Sequence, residues 1–165
     1  MPRACLVWSE QMIADPVDIR AWQRLDAVTT TSGRIEDKDV ARLAALGVVH
    51  VINLALETHP EALEGEGDKL RQHGIAYSHI PVPFDAPTEA HFTAFCNALE
   101  SGPAPVHVHC IMNWRVSAFF YRLNRDHRGM AEAEARALME QQWSPDGINR
   151  PEAEAWAEFI GRRSQ

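Results

Sequence analysis

Cys110 closes a short alternating run, Val106-His107-Val108-His109, and Arg115 follows after four intervening residues, at the head of an amphipathic stretch marked by Val116, Phe119, Phe120 and Leu123. A cysteine at the carboxyl end of a strand, facing the start of the next helix, meets unpaired N–H groups and the positive end of a helix dipole. Both features activate a thiol as a nucleophile. An arginine in the first helical turn can clamp two oxygens of a phosphoryl group. The residues between them, Ile111, Met112, Asn113 and Trp114, then form a loop able to wrap an anion. Asn113 tolerates a left-handed backbone there, and Trp114 is placed to shape the mouth of a site. In a chain with 14 arginines the Cys-x4-Arg spacing says little alone. Its position between a strand and a helix, with Ser117 close behind, carries the argument.

Other residues with chemical potential are weaker. Asp85 lies in a proline-rich segment and reads either as a general acid or as the opener of a turn before Pro87. His107 and His109, two apart on a strand, share one face while Cys110 takes the other, which argues against a zinc site built from the three. His107 reads as a satisfied polar group under the sheet, and His50 and His79 also fall in strand patterns. His91 starts the helix after Asp85 and can line a pocket. Glu57 and His59 sit on a polar loop near a strand end and receive no role. Cys5, Cys96 and Cys110 are too few and too scattered for a disulfide framework or a cysteine zinc site, and Cys96 falls on an apolar helical stripe.

The elements that must position this loop follow from hydrophobic period. A β-prone run from residue 25 to 31 ends at Ser32-Gly33, and Val40, Leu43 and Ala44 recur at helical spacing before Gly47. Residues 48–55 are nearly continuous in apolar character, as in a strand buried on both faces. A polar stretch over 57–73 holds a short helix, residues 75–80 form another strand, and Thr88 caps a helix carrying Phe92, Phe95, Cys96 and Leu99. Two helices follow, over 130–142 and 151–160, separated by Ser144-Pro145-Asp146-Gly147. The expectation is a three-layer α/β fold with a mostly parallel central sheet flanked by helices. It is one domain over residues 1–165: an N-terminal arm over 1–24 in which Trp8, Ile13, Ile19 and Trp22 pack, a core over 25–128 with the catalytic loop at 110–115, and C-terminal helices over 129–165.

A length of 165 residues, 45% hydrophobic and 24% charged, suits one such domain. The net charge of −7 argues against nucleic acid or an anionic membrane as partner. No apolar run approaches the roughly 18 residues of a spanning helix. The first ten residues turn polar too early for a secretory signal, so a cytoplasmic location is expected.

The chain resembles the Cys-dependent protein tyrosine and dual-specificity phosphatases, in the bacterial branch grouped with DUF442 proteins, over most of residues 26–125. The resemblance rests on Thr29-Thr30-Thr31-Ser32-Gly33, Val51-Ile52-Asn53-Leu54, Ile80-Pro81-Val82-Pro83-Phe84-Asp85-Ala86-Pro87-Thr88, Val108-His109-Cys110 and Arg115-Val116-Ser117-Ala118-Phe119. It implies a hydrolase of phosphate monoesters with no metal or organic cofactor, acting on a phosphorylated substrate. Cys110 would form a phosphocysteine, with Arg115 and the loop residues Ile111 to Trp114 binding the phosphate. Asp85 would be the general acid, Ser117 would stabilise the departing thiolate, and His109 would order the loop. The loop departs from the family in having four residues and no glycine between cysteine and arginine, where the family has five with a central glycine; Val116 takes the place of the usual arginine. A six-residue loop from Cys to Arg also occurs in rhodanese-type sulfurtransferases, where the cysteine carries a persulfide. A third possibility is a tightened loop that recognises an anion without turning it over.

Overall fold

Short strands of four residues, buried along their whole length and nearly free of charge, belong at the centre of a sheet covered on both sides. That is where the structure, a computed structural model describing residues 13–164, places them. Strands β1 (Gln23–Arg24), β2 (Thr29–Ser32), β3 (His50–Asn53), β4 (Ala76–His79) and β5 (Val106–His109) form one sheet in the order β1-β2-β5-β3-β4. Only β1 runs antiparallel, against β2. Every residue of β2, β3 and β5 is buried, whereas β4 at the edge is partly open.

Six helices cover the sheet: α1 (Asp37–Ala45), α2 (Glu66–Gln72), α3 (Glu89–Ser101), α4 (Trp114–Asp126), α5 (Glu132–Glu140) and α6 (Glu152–Gly161). The two-residue period of the strands divides their side chains between two cores. Val51 packs with Val40, Leu43 and Leu70 from α1 and α2. Ile52, Val106, Val108 and Cys110 pack on the other face with Phe95, Val116, Phe119 and Trp156 from α3, α4 and α6. The three-layer expectation is met. No helix among the described residues is long and apolar enough to cross a membrane.

The register places Ser32, Asn53, His79 and His109 level at the carboxyl edge of the sheet. Helix α1 leaves β2 toward one face and α4 leaves the adjacent β5 toward the other. This divergence opens a crevice at the strand ends, the usual ligand position in an open α/β sheet.

Two local expectations change. The strand expected over residues 25–31 begins only at Thr29, because residues 25–28 make the turn of a hairpin: Leu25 N–H donates to Thr29 O at 2.9 Å, and Asp26 Oδ1 accepts from Val28 N–H at 2.9 Å. The end of the N-terminal arm is therefore a sheet strand, β1. Within the arm, Ile19 is buried, Trp22 packs on the α1/α2 core and Ile13 is exposed. Trp8 and Cys5 lie outside the described residues.

Candidate active site

The Cys110 loop is fastened by its own Asn113 side chain, by the backbone after β2 and by the Arg20 side chain. Asn113 is the N-cap of α4 and takes a left-handed backbone, φ 67°, so an asparagine stands where the conformation favours glycine. Its Nδ2 donates to Ala21 O at 2.9 Å and to Thr31 Oγ1 at 3.0 Å, fastening the corner to the N-terminal arm and β2. The other side of the loop lies against Gly33, where a Cβ would stand 2.5 Å from Ile111 O. Ile111 O accepts from Arg34 N–H at 2.9 Å. Arg20 pairs with Glu61 at 2.6 Å and sets Nη1 3.5 Å from Ile111 O, joining the loop after β3 to the Cys110 loop.

What these fastenings leave exposed to a ligand is backbone. Among the described residues, none of the N–H groups from residue 111 to 116 has a protein acceptor; the first donor engaged is Ser117 N–H, on Asn113 O at 3.0 Å. A run of unmatched donors at the N-terminus of a 13-residue helix is a physical basis for anion binding. A cavity of about 340 Å³ lies at this end of α4, within the size range of small-molecule sites. Cys110, Ile111, Met112, Trp114 and Arg115 line it, together with Leu56, His59, Phe84 and Arg150.

Cys110 is wholly buried at the cavity floor. Arg115 is nearly so; its Nη1 donates to Val82 O at 2.9 Å and its guanidinium carbon lies 5.8 Å from the centre of the Phe84 ring. That is its only hydrogen bond among the described residues, which leaves Nε and Nη2 available to an anion. The shortened loop thus still brings arginine and cysteine to one cavity.

His109 points to the opposite face of the sheet. Its Nε2 lies 3.0 Å from Glu66 Oε1 of α2, and its Nδ1 is 3.2 Å from Cys110 O. Burial would push the His109 ring down, but the Glu66 carboxylate and the carbonyl outweigh it and the net shift is upward. His107, also buried, is held well below its ordinary range by burial and by the neighbouring His109. It is satisfied by Thr30 Oγ1 and Ser32 Oγ, each at 2.8 Å, and stacks on Trp22.

Ser117 and Asp85 are placed differently from a catalytic arrangement. The Ser117 hydroxyl donates to Asn113 O at 2.6 Å and makes no hydrogen bond with Cys110 among the described residues. Asp85 occupies an exposed turn; its neighbour Phe84 forms cavity wall, but Asp85 itself does not. Phe84 is pinned by Trp156 of α6, whose Nε1 donates to Phe84 O at 2.6 Å. His91 is used as a cap: Thr88 Oγ1 accepts from His91 N–H at 3.2 Å and His91 Nδ1 accepts from Thr88 N–H at 3.1 Å. Cys96 lies on α3, and its thiol is pushed up to about 11 by burial and by Glu100.

Leu56, His59 and Arg150 are cavity residues to which the sequence reading gave no role. His59 carried a faint signal, its place after a core strand. Arg150, in the turn before α6, carried none.

No protein-family model and no curated protein matches the chain. Solved structures do. A DUF442 protein from Shewanella putrefaciens CN-32, proposed to be a phosphatase, is 26% identical, with a TM-score of 0.70 over 88% of this chain and 93% of that one. TpbA from P. aeruginosa, 19% identical, matches with a TM-score of 0.66 over 90% and 88% of the two chains. The core catalytic domain of the PP-IP phosphatase SIW14 from S. cerevisiae, 12% identical, matches with a TM-score of 0.71 over 88% and 87%. The fold is that of the Cys-dependent phosphatase-like proteins.

Proposed function

We propose that this chain, built on a phosphatase-like fold, hydrolyses phosphate monoesters through a phosphocysteine at Cys110, without metal or organic cofactor. One observation carries the reading: Cys110 and Arg115 share a cavity at the N-terminus of α4, where the N–H groups of residues 111–116 are unmatched among the described residues. Such a cradle suits a group that bears charge on three oxygens through its transition state.

The Cys110 thiolate attacks phosphorus, and the ester P–O bond breaks as Asp85 passes a proton to the leaving oxygen. Loop amides and Arg115 hold the phosphoryl oxygens throughout. Water then attacks the phosphocysteine and gives a proton to Asp85. The P–S bond breaks, its electron pair returns to sulfur, and inorganic phosphate leaves. Because Asp85 sits on an exposed turn outside the cavity wall, proton delivery requires that turn to fold over bound substrate. Ser117 reaches the thiolate only by turning its hydroxyl away from Asn113; in its present position it holds the loop corner. His109, tied to Glu66 and to Cys110 O, orders the loop from behind.

A second reading, anion recognition without turnover, is favoured by the wholly buried Cys110 and by the position of Asp85. Hydrolysis of 4-nitrophenyl phosphate by wild type beside Cys110→Ser, from about pH 5 to 8, separates the two. Turnover that vanishes in Cys110→Ser supports the hydrolase. Phosphate binding with no turnover above the variant gives the recognition domain.

A further inference from the structure

Arginine dominates the basic residues of this acidic chain, and nearly all of it is neutralised. Every described arginine except Arg115, Arg128 and Arg150 reaches a carboxylate within salt-bridge distance. Two of these three exceptions line the Cys110 cavity. Arg128 lies at the far end of α4 against Phe120. On the loop after β3 that carries Leu56 and His59, Glu61 pairs with Arg20 and Glu57 lies 3.5 Å from His79, so neither is spare to neutralise Arg150; Asp85, beside Phe84, makes no ion pair among the described residues.

Arg150 is held without being neutralised. Its guanidinium carbon lies 5.7 Å from the centre of the Trp114 ring, and Trp114 stacks on Trp143 with ring centres 5.1 Å apart and an angle of 12°. Trp143 Nε1 donates to Trp114 O at 2.7 Å, locking the stack to the first residue of α4. Stacking orients the planar cation and leaves its N–H edge free for an oxyanion. Arg150 is exposed and makes no ion pair among the described residues, so it sets a second, uncompensated positive charge beside the phosphate cradle.

We propose that Arg150, carried by Trp114, forms a second anion subsite, so that the preferred ligand bears a second oxyanion besides the phosphoryl group held by the loop amides and Arg115. This rests on the phosphate-binding half of the function proposed above and extends it to a class of ligand: small molecules with two neighbouring oxyanions. Arg150 touches ligand but takes no part in the P–O bond change.

Calorimetric titration tests it with inorganic phosphate, pyrophosphate and phosphonoacetate at one ionic strength, on wild type, Arg150→Gln, Arg150→Lys and Arg128→Gln. Wild type is expected to bind pyrophosphate more tightly than phosphate. Arg150→Gln should remove about 10-fold of that preference, with phosphate affinity changed less than about twofold, Arg150→Lys retaining part of the preference, and Arg128→Gln all of it. A preference for phosphonoacetate that is also lost in Arg150→Gln extends the subsite to carboxylates. An equal loss of all ligands in Arg150→Gln, a loss matched by Arg128→Gln, or no preference in wild type overturns the subsite. Failure of the hydrolase reading shows separately, as absent turnover of 4-nitrophenyl phosphate, while the binding comparison still decides the role of Arg150.

Discussion

Glu66 Oε1 lies 3.0 Å from His109 Nε2 with both side chains sealed from solvent, so that helix α2 is tied to the residue immediately before Cys110. The contact acts as charge against charge more than as a straight hydrogen bond, since His109 Nε2 has no aligned acceptor among the described residues. It is the rear support of the Cys110 loop, on the face of the sheet opposite the cavity.

The pair predicts a pH-dependent stability. Burial would lower His109, but Glu66 wins and the net shift is upward from 6.5; the stabilisation is full below that value and fades as pH climbs through the raised pKa. Burial would raise Glu66, but the His109 charge wins and the net shift is downward from 4.5; that contribution is full above 4.5 and fades as pH falls through the lowered pKa. Glu66→Gln should therefore cost most between these two values, about 3 kcal/mol or roughly 6–12 °C in Tm. Thermal melts across pH check it. A Tm difference independent of pH would show that the pair is not ionised.

Asn113 predicts an ordering of variants. Asn113→Ala loses the hydrogen bonds to Ala21 and Thr31 and also strains a backbone at φ 67°. Asn113→Gly loses only the hydrogen bonds. The expected destabilisation is about 3 kcal/mol for alanine and about 1–2 kcal/mol for glycine, read from urea melts. Equal losses would mean that the left-handed corner is not part of the folded loop.

Much of this geometry was legible because it is local. The strand, the left-handed Asn113, the helix carrying Arg115 and the opposite facing of His109 and Cys110 all lie in one continuous stretch, residues 106–126, where period and backbone preference act directly. Glu66 and Arg150 escaped notice, and His59 received no role, because their places at the site are set by how α2, the loop after β3 and the turn before α6 pack on the sheet. Strand β1 was missed for another reason. Gln23 and Arg24 are polar, and a two-residue edge strand gains its pairing from β2 rather than from its own sequence.

Gly33 predicts an effect on activity larger than its effect on stability. A Cβ at residue 33 would stand 2.5 Å from Ile111 O, a backbone atom, and 3.1 Å from the Arg20 side chain. The loop must move to admit it. Misplacement of a catalytic loop by about 1 Å costs on the order of 100-fold in rate, so Gly33→Ala should lower kcat/KM for an aryl phosphate by about that factor with only a small change in Tm. Unchanged kcat/KM would show that the cradle does not depend on this close approach.

Asp85 is the residue on which chemistry and ground-state geometry disagree most, and its variant discriminates between them. A general acid matters in proportion to how poorly the leaving oxygen carries charge. Asp85→Asn should slow hydrolysis of phenyl phosphate by about 100-fold while slowing 4-nitrophenyl phosphate, whose leaving group needs little help, by less than about 10-fold. If both esters slow equally, Asp85 contributes only as the turn it visibly forms, and the proton must come from another group on the cavity wall, where His59 is the titratable side chain best placed to supply it. Glu61 N–H donates to His59 Nδ1 at 3.0 Å, which leaves Nε2 as the ring nitrogen without a protein partner among the described residues. His59→Gln would then show the leaving-group dependence that Asp85→Asn lacks.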